Sequence, residues 1–143
     1  MKPATLSKAI EIIAAIFILL FVYTATSKLL SHQTFVINLK KSPLIGFASG
    51  FLSWAVPVIE ITISILLFVP PLRKTGLVSS FGLMTLFTVY IAYMLMTSSR
   101  LPCSCGGVIN KLSWQQHLWL NLFFTLLAAA AIYLNKRQKF LLQ

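Results

Sequence analysis

The sequence predicts an all-α membrane protein, a bundle of four transmembrane helices, and three observations predict it. First, 58% of the 143 residues are hydrophobic, giving a mean hydropathy of +0.88. Second, only 10% are charged, where a soluble domain carries about 25%. Third, the apolar residues are gathered into four runs, each close to the roughly 20 residues that a helix needs to cross a bilayer. Those runs and their connections use up the chain. A soluble globular domain is therefore excluded, and the whole of residues 1–143 reads as a single four-span membrane domain.

The first span is expected over residues 10–30, entered past Glu11 and turning polar at Thr24, Thr26, Ser27 and Lys28. Lys2 and Lys8 ahead of an apolar stretch also fit a signal peptide. Glu11 interrupts such a leader, however, and apolar character resumes at Leu29 and Leu30. The second span, residues 51–69, contains Pro57 and Glu60 and stops at Pro70-Pro71, a pair that cannot continue a helix. The third covers residues 78–96. The fourth, residues 114–134, follows Ser113-Trp114-Gln115-Gln116, an S-x-x-Q capping box that satisfies free amide donors at a helix start. Between the first two spans, residues 34–41 are too few and too polar to cross and read as an amphipathic piece lying at the surface.

Twelve Lys and Arg stand against two acids, a net charge of +10. In a soluble chain this balance points to nucleic acid. Here the basic residues sit between apolar runs and act as topology signals, so no nucleic-acid partner is expected. Seven fall on the side of the termini and five on the other, which predicts cytoplasmic termini by the positive-inside rule. Trp54, Trp114 and Trp119 all fall near span ends, as interfacial tryptophans do.

The only two cysteines, Cys103 and Cys105, stand in Leu101-Pro102-Cys103-Ser104-Cys105-Gly106-Gly107, between the third and fourth spans. On this topology they lie outside the cytoplasm, where disulfides persist. A ring closed by cysteines two apart is small and strained, and strained, exposed disulfides are the oxidising, labile ones. The spacing suits a redox couple better than a staple. Pro102 stiffens the approach, and Gly106 gives permissive backbone after the pair. The amino end of the fourth span favours a thiolate nearby, and His117 is placed to accept a proton or to remain an interfacial polar residue. His117, Asn121 and Thr125 recur every four residues on one helical face. A metal site using Cys103, Cys105 and His117, with His32 on the same side, is the rival chemistry, although the spacing matches none of the usual zinc templates.

Glu60 is the other singled-out residue. An acid at mid-membrane costs on the order of 3 kcal/mol on the insertion scale and must be neutral, paired or hydrated. Ser53, Pro57, Glu60 and Ser64 share a helical face, which directs the acid into the bundle with Tyr90 or Tyr93 and Asn121, either as an interhelical hydrogen-bond donor or as a proton-handling group. Lys28 is expected to snorkel to the outer interface. Gly82 and the run Ala128 to Ala131 read as small-residue helix contacts.

These residues resemble the MauE group of small four-span membrane proteins, relatives of the DoxX proteins. The resemblance rests on Tyr23-Thr24-Ala25-Thr26-Ser27-Lys28-Leu29, Pro57-Val58-Ile59-Glu60, and the Cys-x-Cys-Gly loop followed by Leu112-Ser113-Trp114 and Asn121. It runs from about residue 10 to 134, and the cysteine loop with the downstream Trp and Asn is its specific part. It implies periplasmic thiol and disulfide handling at a bacterial inner membrane, a redox role for Cys103 and Cys105, and motif status for Lys28, Glu60 and Asn121. The group is linked to maturation of a disulfide-rich methylamine dehydrogenase subunit, but nothing in this sequence points to methylamine.

The leading expectation is a thiol–disulfide redox protein that exchanges electrons with a thioredoxin-like or other cysteine-containing periplasmic protein. One pair stores one disulfide, so the protein either meets its partner directly at Cys103 or Cys105 or acts as one link in a longer chain, and a quinone is a candidate cofactor. The alternatives are a non-catalytic assembly or transport subunit and the metal-handling protein.

Overall fold

The computed structural model describes residues 2–97 and 114–143. Among them lie five α-helices: α1 (Pro3–Leu30), α2 (His32–Lys40), α3 (Ser49–Phe68), α4 (Arg73–Thr97) and α5 (Trp114–Leu141). A 3₁₀ turn at Gly46–Ala48 leads into α3, and another at Pro70–Leu72 leads into α4. Four stretches are long and apolar enough to cross a membrane: Pro3–Leu30, Gly46–Phe68, Pro70–Met96 and Gln115–Leu141. The protein is a multi-pass membrane protein.

Local chemistry sets the helix ends. Pro3 opens α1 at a position where its missing N–H costs no bond. The helix stops at Ser31, whose φ of −110° and ψ of 39° leave the α region. Ser31 still donates to the Ser27 carbonyl (3.1 Å) and accepts from the Phe35 N–H (2.9 Å), so α2 starts at once in a new direction. With nine residues and none buried, α2 is too short to span and occupies the segment expected at the surface. At the far end of α3, Val69 is extended (ψ 114°) ahead of Pro70, the conformation that a following proline imposes.

Helices α1 and α5 extend beyond the apolar runs that announce them, α1 by two turns before Ile10 and α5 past Leu134 to Leu141. At 1.5 Å per residue the 28 residues of α1 reach about 42 Å, against roughly 30 Å of hydrocarbon. Backbone bonding carries the helix on after the apolar side chains end.

The spanning helices run up, down, up and down. Helix α1 packs on α3 and α5, and α4 packs on α5 and α3, while α1 and α4 meet only marginally across the diagonal. The ring order is therefore α1, α3, α4, α5. Its core is built from Ile10, Ala14, Phe17 and Phe21 of α1, Ile63 and Leu67 of α3, Leu77 and Met84 of α4, and Ala128 and Ala131 of α5. Phe17 meets Phe124 of α5 edge-on at 5.6 Å. The outer faces are as apolar as the core, with Leu19, Phe68, Leu86 and Leu126 all exposed, as expected where the surrounding solvent is lipid.

Small residues divide in their roles. A Cβ at Gly76 would stand 2.9 Å from the Leu67 backbone nitrogen, so glycine is what lets α4 approach α3 after the Pro70–Leu72 turn. The Ala128 and Ala131 contacts are present. Gly82, expected at a contact, has nothing within 4 Å of an added Cβ. Its side of α4 is open.

A candidate site around a buried ion pair

One end of the bundle gathers the carboxyl ends of α1 and α4 with the amino ends of α3 and α5. Lys28 lies in the last turn of α1, and its Nζ meets Glu60 Oε1 at 2.6 Å. The side chains are 3% and 1% exposed. This corrects the expectation that Lys28 snorkels outward. An opposite charge within bonding distance outcompetes the interface, and aromatic rings close around the cation: its Nζ stands 6.0 Å from the Phe35 ring centroid of α2 and 5.8 Å from that of Phe87 of α4.

The acid is directed inward by the face it belongs to. Ser53, Pro57, Glu60 and Ser64 are all buried, and the two serines spend their hydroxyls on their own helix. Ser64 Oγ donates to the Glu60 carbonyl at 2.9 Å, and Ser53 Oγ donates to the Gly50 carbonyl at 2.8 Å. The carboxylate thus keeps its own oxygens for partners on other helices. One of them, Oε1, receives the charge-assisted bond from Lys28. The other, Oε2, is buried with no hydrogen-bond partner among the described residues.

Glu60 and Lys28 line a cavity of 30 Å³ together with Thr24 of α1 and with His117 and Asn121 of α5. Phe21, Phe87 and Phe124 form part of its apolar wall. His117 and Asn121 are buried, on the single face that their spacing indicates. Asn121 Nδ2 donates to the His117 carbonyl at 2.9 Å. One turn further, Thr125 Oγ1 donates to the Asn121 carbonyl at 2.8 Å and bonds Thr88 of α4 at 3.1 Å, which fixes the rotation of α5 against α4.

Four of the sequence-selected residues, Lys28, Glu60, His117 and Asn121, are therefore brought to one cavity. Tyr90 and Tyr93 are not. The Tyr90 hydroxyl bonds Ser42 at 2.8 Å, fastening the segment after α2 to α4, and Tyr93 is 45% exposed. His32 bonds Ser53 at 3.1 Å and packs on Trp54 at 4.4 Å, away from the cavity lining. Trp114 is the first residue of α5. Cys103 and Cys105, with Pro102, Gly106 and the Ser113 cap, lie outside the described residues. In sequence they fall between Thr97, the last residue of α4, and Trp114, the first of α5. Among the described residues no three His, Cys, Asp or Glu group to hold a metal.

Thr24 is the site residue that sequence reasoning did not assign. It lies one helical turn before Lys28, and that spacing places the two on one face.

No curated protein and no solved structure gives a significant match to the chain. The family model described as methylamine utilisation protein MauE does match, over residues 6–134. That stretch holds the second and third spans whole, most of the first and fourth, the buried pair and the two cysteines, and the chain belongs to the MauE family.

Proposed function

We propose that this protein is a thiol–disulfide redox protein of the bacterial inner membrane, exchanging electrons through Cys103 and Cys105 with a periplasmic thioredoxin-like or cysteine-containing partner. It would thereby support disulfide formation or maturation of exported proteins. The observation that carries the reading is positional. The only two cysteines of the chain fall in sequence between the carboxyl end of α4 and the amino end of α5, and Lys28, Glu60 and His117 are buried within the same bundle.

The chemistry is thiol–disulfide exchange. A thiolate of the reduced pair attacks a partner disulfide, one S–S bond forms as another breaks, and the departing sulfur takes the electron pair and a proton. The second cysteine then attacks the mixed disulfide, closing the Cys103–Cys105 bond and releasing the reduced partner. The reverse sequence oxidises the partner. The amino end of α5 offers partial positive charge to a thiolate on this side. Glu60 and His117 supply groups able to hold the exchanged protons.

The test is trapping. With Cys103→Ser or Cys105→Ser in membranes of the native host, the remaining thiol should retain the partner as a mixed disulfide, visible on a non-reducing gel and identified by mass spectrometry. The two variants should trap unequally, with Cys103 expected as the attacking thiol. No adduct from either variant, with full function retained in the double variant, would refute the redox reading and favour an assembly subunit.

A further inference from the structure

Glu60 Oε2 stands apart in this protein. It is the one buried side-chain polar atom without a hydrogen-bond partner among the described residues, and it belongs to a side chain 1% exposed. Buried polar atoms left in this condition commonly mark a bound water. The cavity that Glu60 lines measures 30 Å³, where a single water needs about 10–15 Å³. The space suffices for one water or two.

A buried water needs two to four polar partners, and the lining supplies them. Lys28 carries three N–H donors and spends one on Oε1. Asn121 has committed its amide nitrogen to the His117 carbonyl, which leaves Oδ1 as an acceptor. A water that donates to Glu60 Oε2 and to Asn121 Oδ1 and accepts from Lys28 makes three bonds. The remaining lining from α4, Met84 and Phe87, is apolar, so Lys28, Glu60 and His117 are the titratable groups facing the water.

We propose that this cavity, which His117 also lines, is a hydrated proton-exchange site in which an internal water joins the Lys28–Glu60 pair to Asn121. The inference deepens the redox reading and rests on it for its use. Thiol–disulfide exchange requires that the attacking thiol lose a proton and that the departing thiolate regain one. His117 lies one turn nearer than Asn121 to the start of α5, so the polar groups step from Glu60 toward the amino end of that helix. The relay accepts the proton from the attacking thiol and returns it to the leaving sulfur, with no net change in the site.

The composition makes the test unusually direct, because the chain has only two acids, Glu11 and Glu60. In a Glu11→Gln background the full-length protein in lipid nanodiscs carries one side-chain carboxyl group. Infrared difference spectra in H₂O and after transfer to D₂O, each taken against a Lys28→Met, Glu60→Gln control in identical nanodiscs, then isolate the Glu60 band. We expect the band to respond to D₂O promptly and at least tenfold more slowly in Asn121→Leu, which fills the cavity with an apolar side chain. A structure resolving ordered water should show density within hydrogen-bond distance of Oε2. A dry cavity, a band indifferent to D₂O, or equal rates in the parent and Asn121→Leu would overturn the proposal. Normal exchange without cysteine trapping would instead refute the redox reading alone.

Discussion

Replacing Lys28 by Met keeps the length of the side chain and removes its charge, leaving the Glu60 carboxyl group without the partner at 2.6 Å. Two unit charges at that separation attract by about 6 kcal/mol at an effective dielectric constant of 20. Much of this is offset by the cost of taking both groups out of water. Breaking a buried pair from one side costs about 3–5 kcal/mol, because the remaining group is left uncompensated. Replacing both members costs far less, since an apolar pair of similar volume carries no desolvation penalty. The expected pattern is therefore strongly non-additive. Lys28→Met and Glu60→Met should each destabilise by about 3 kcal/mol or more, and the two together by about 1 kcal/mol. Unfolding of the purified protein in mixed micelles, followed by the fluorescence of its three tryptophans, measures all three. Single variants that each cost under about 1 kcal/mol, or a double variant that costs the sum of the singles, would refute the claim that the pair acts as one neutral unit in the bundle.

Three further outcomes follow from the geometry. Gly76→Ala should destabilise by about 1–3 kcal/mol, because its Cβ would press on the Leu67 backbone at 2.9 Å. Gly82→Ala, with open space around it, should be neutral or stabilising by up to about 1 kcal/mol; the same unfolding assay compares them. Tyr90→Phe removes the 2.8 Å bond to Ser42 and should cost about 1 kcal/mol, seen as faster hydrogen exchange in α2 and in the turn at Gly46–Ala48. A membrane-impermeant thiol reagent should label Cys103 and Cys105 in intact, reduced cells; labelling only after lysis would reverse the proposed orientation.

What the sequence made legible follows from how a membrane helix differs from a soluble one. The apolar runs located all four spans, because crossing lipid demands about 20 apolar residues whatever the fold. They did not locate the ends of α1 and α5, since a helix satisfies its own backbone and continues where the apolar side chains stop. Rotation about each helix axis was harder to read. In a soluble bundle the polar face reveals the inward one, but here Leu19 and Leu126 face outward as Phe17 and Ala128 face inward. Only the sparse polar residues broke the tie. Ser53, Pro57, Glu60 and Ser64 fixed α3, and His117, Asn121 and Thr125 fixed α5. Helix α4 offered no such stripe, which is why neither tyrosine offered as a companion of Glu60 lines the cavity and Gly82 was assigned to a contact it does not make. Glu60 was conspicuous as a mid-span acid. Its partner Lys28 was not, because the pairing spans 32 positions and depends on how α1 slides along α3 and on α2 folding back across its end.

The ring order has a consequence for biosynthesis. Lys28 and Glu60 come from α1 and α3, the first two spanning helices to leave the ribosome, and these two pack directly on each other. The newly inserted hairpin can therefore neutralise its two costly charges before α4 and α5 have been translated. His117 and Asn121 arrive with the last helix, which closes the ring against α1. A nascent chain thus carries a matched charge pair from early in its insertion, and the pair is enclosed only when α4 brings Phe87 and α5 brings His117 and Asn121 to it.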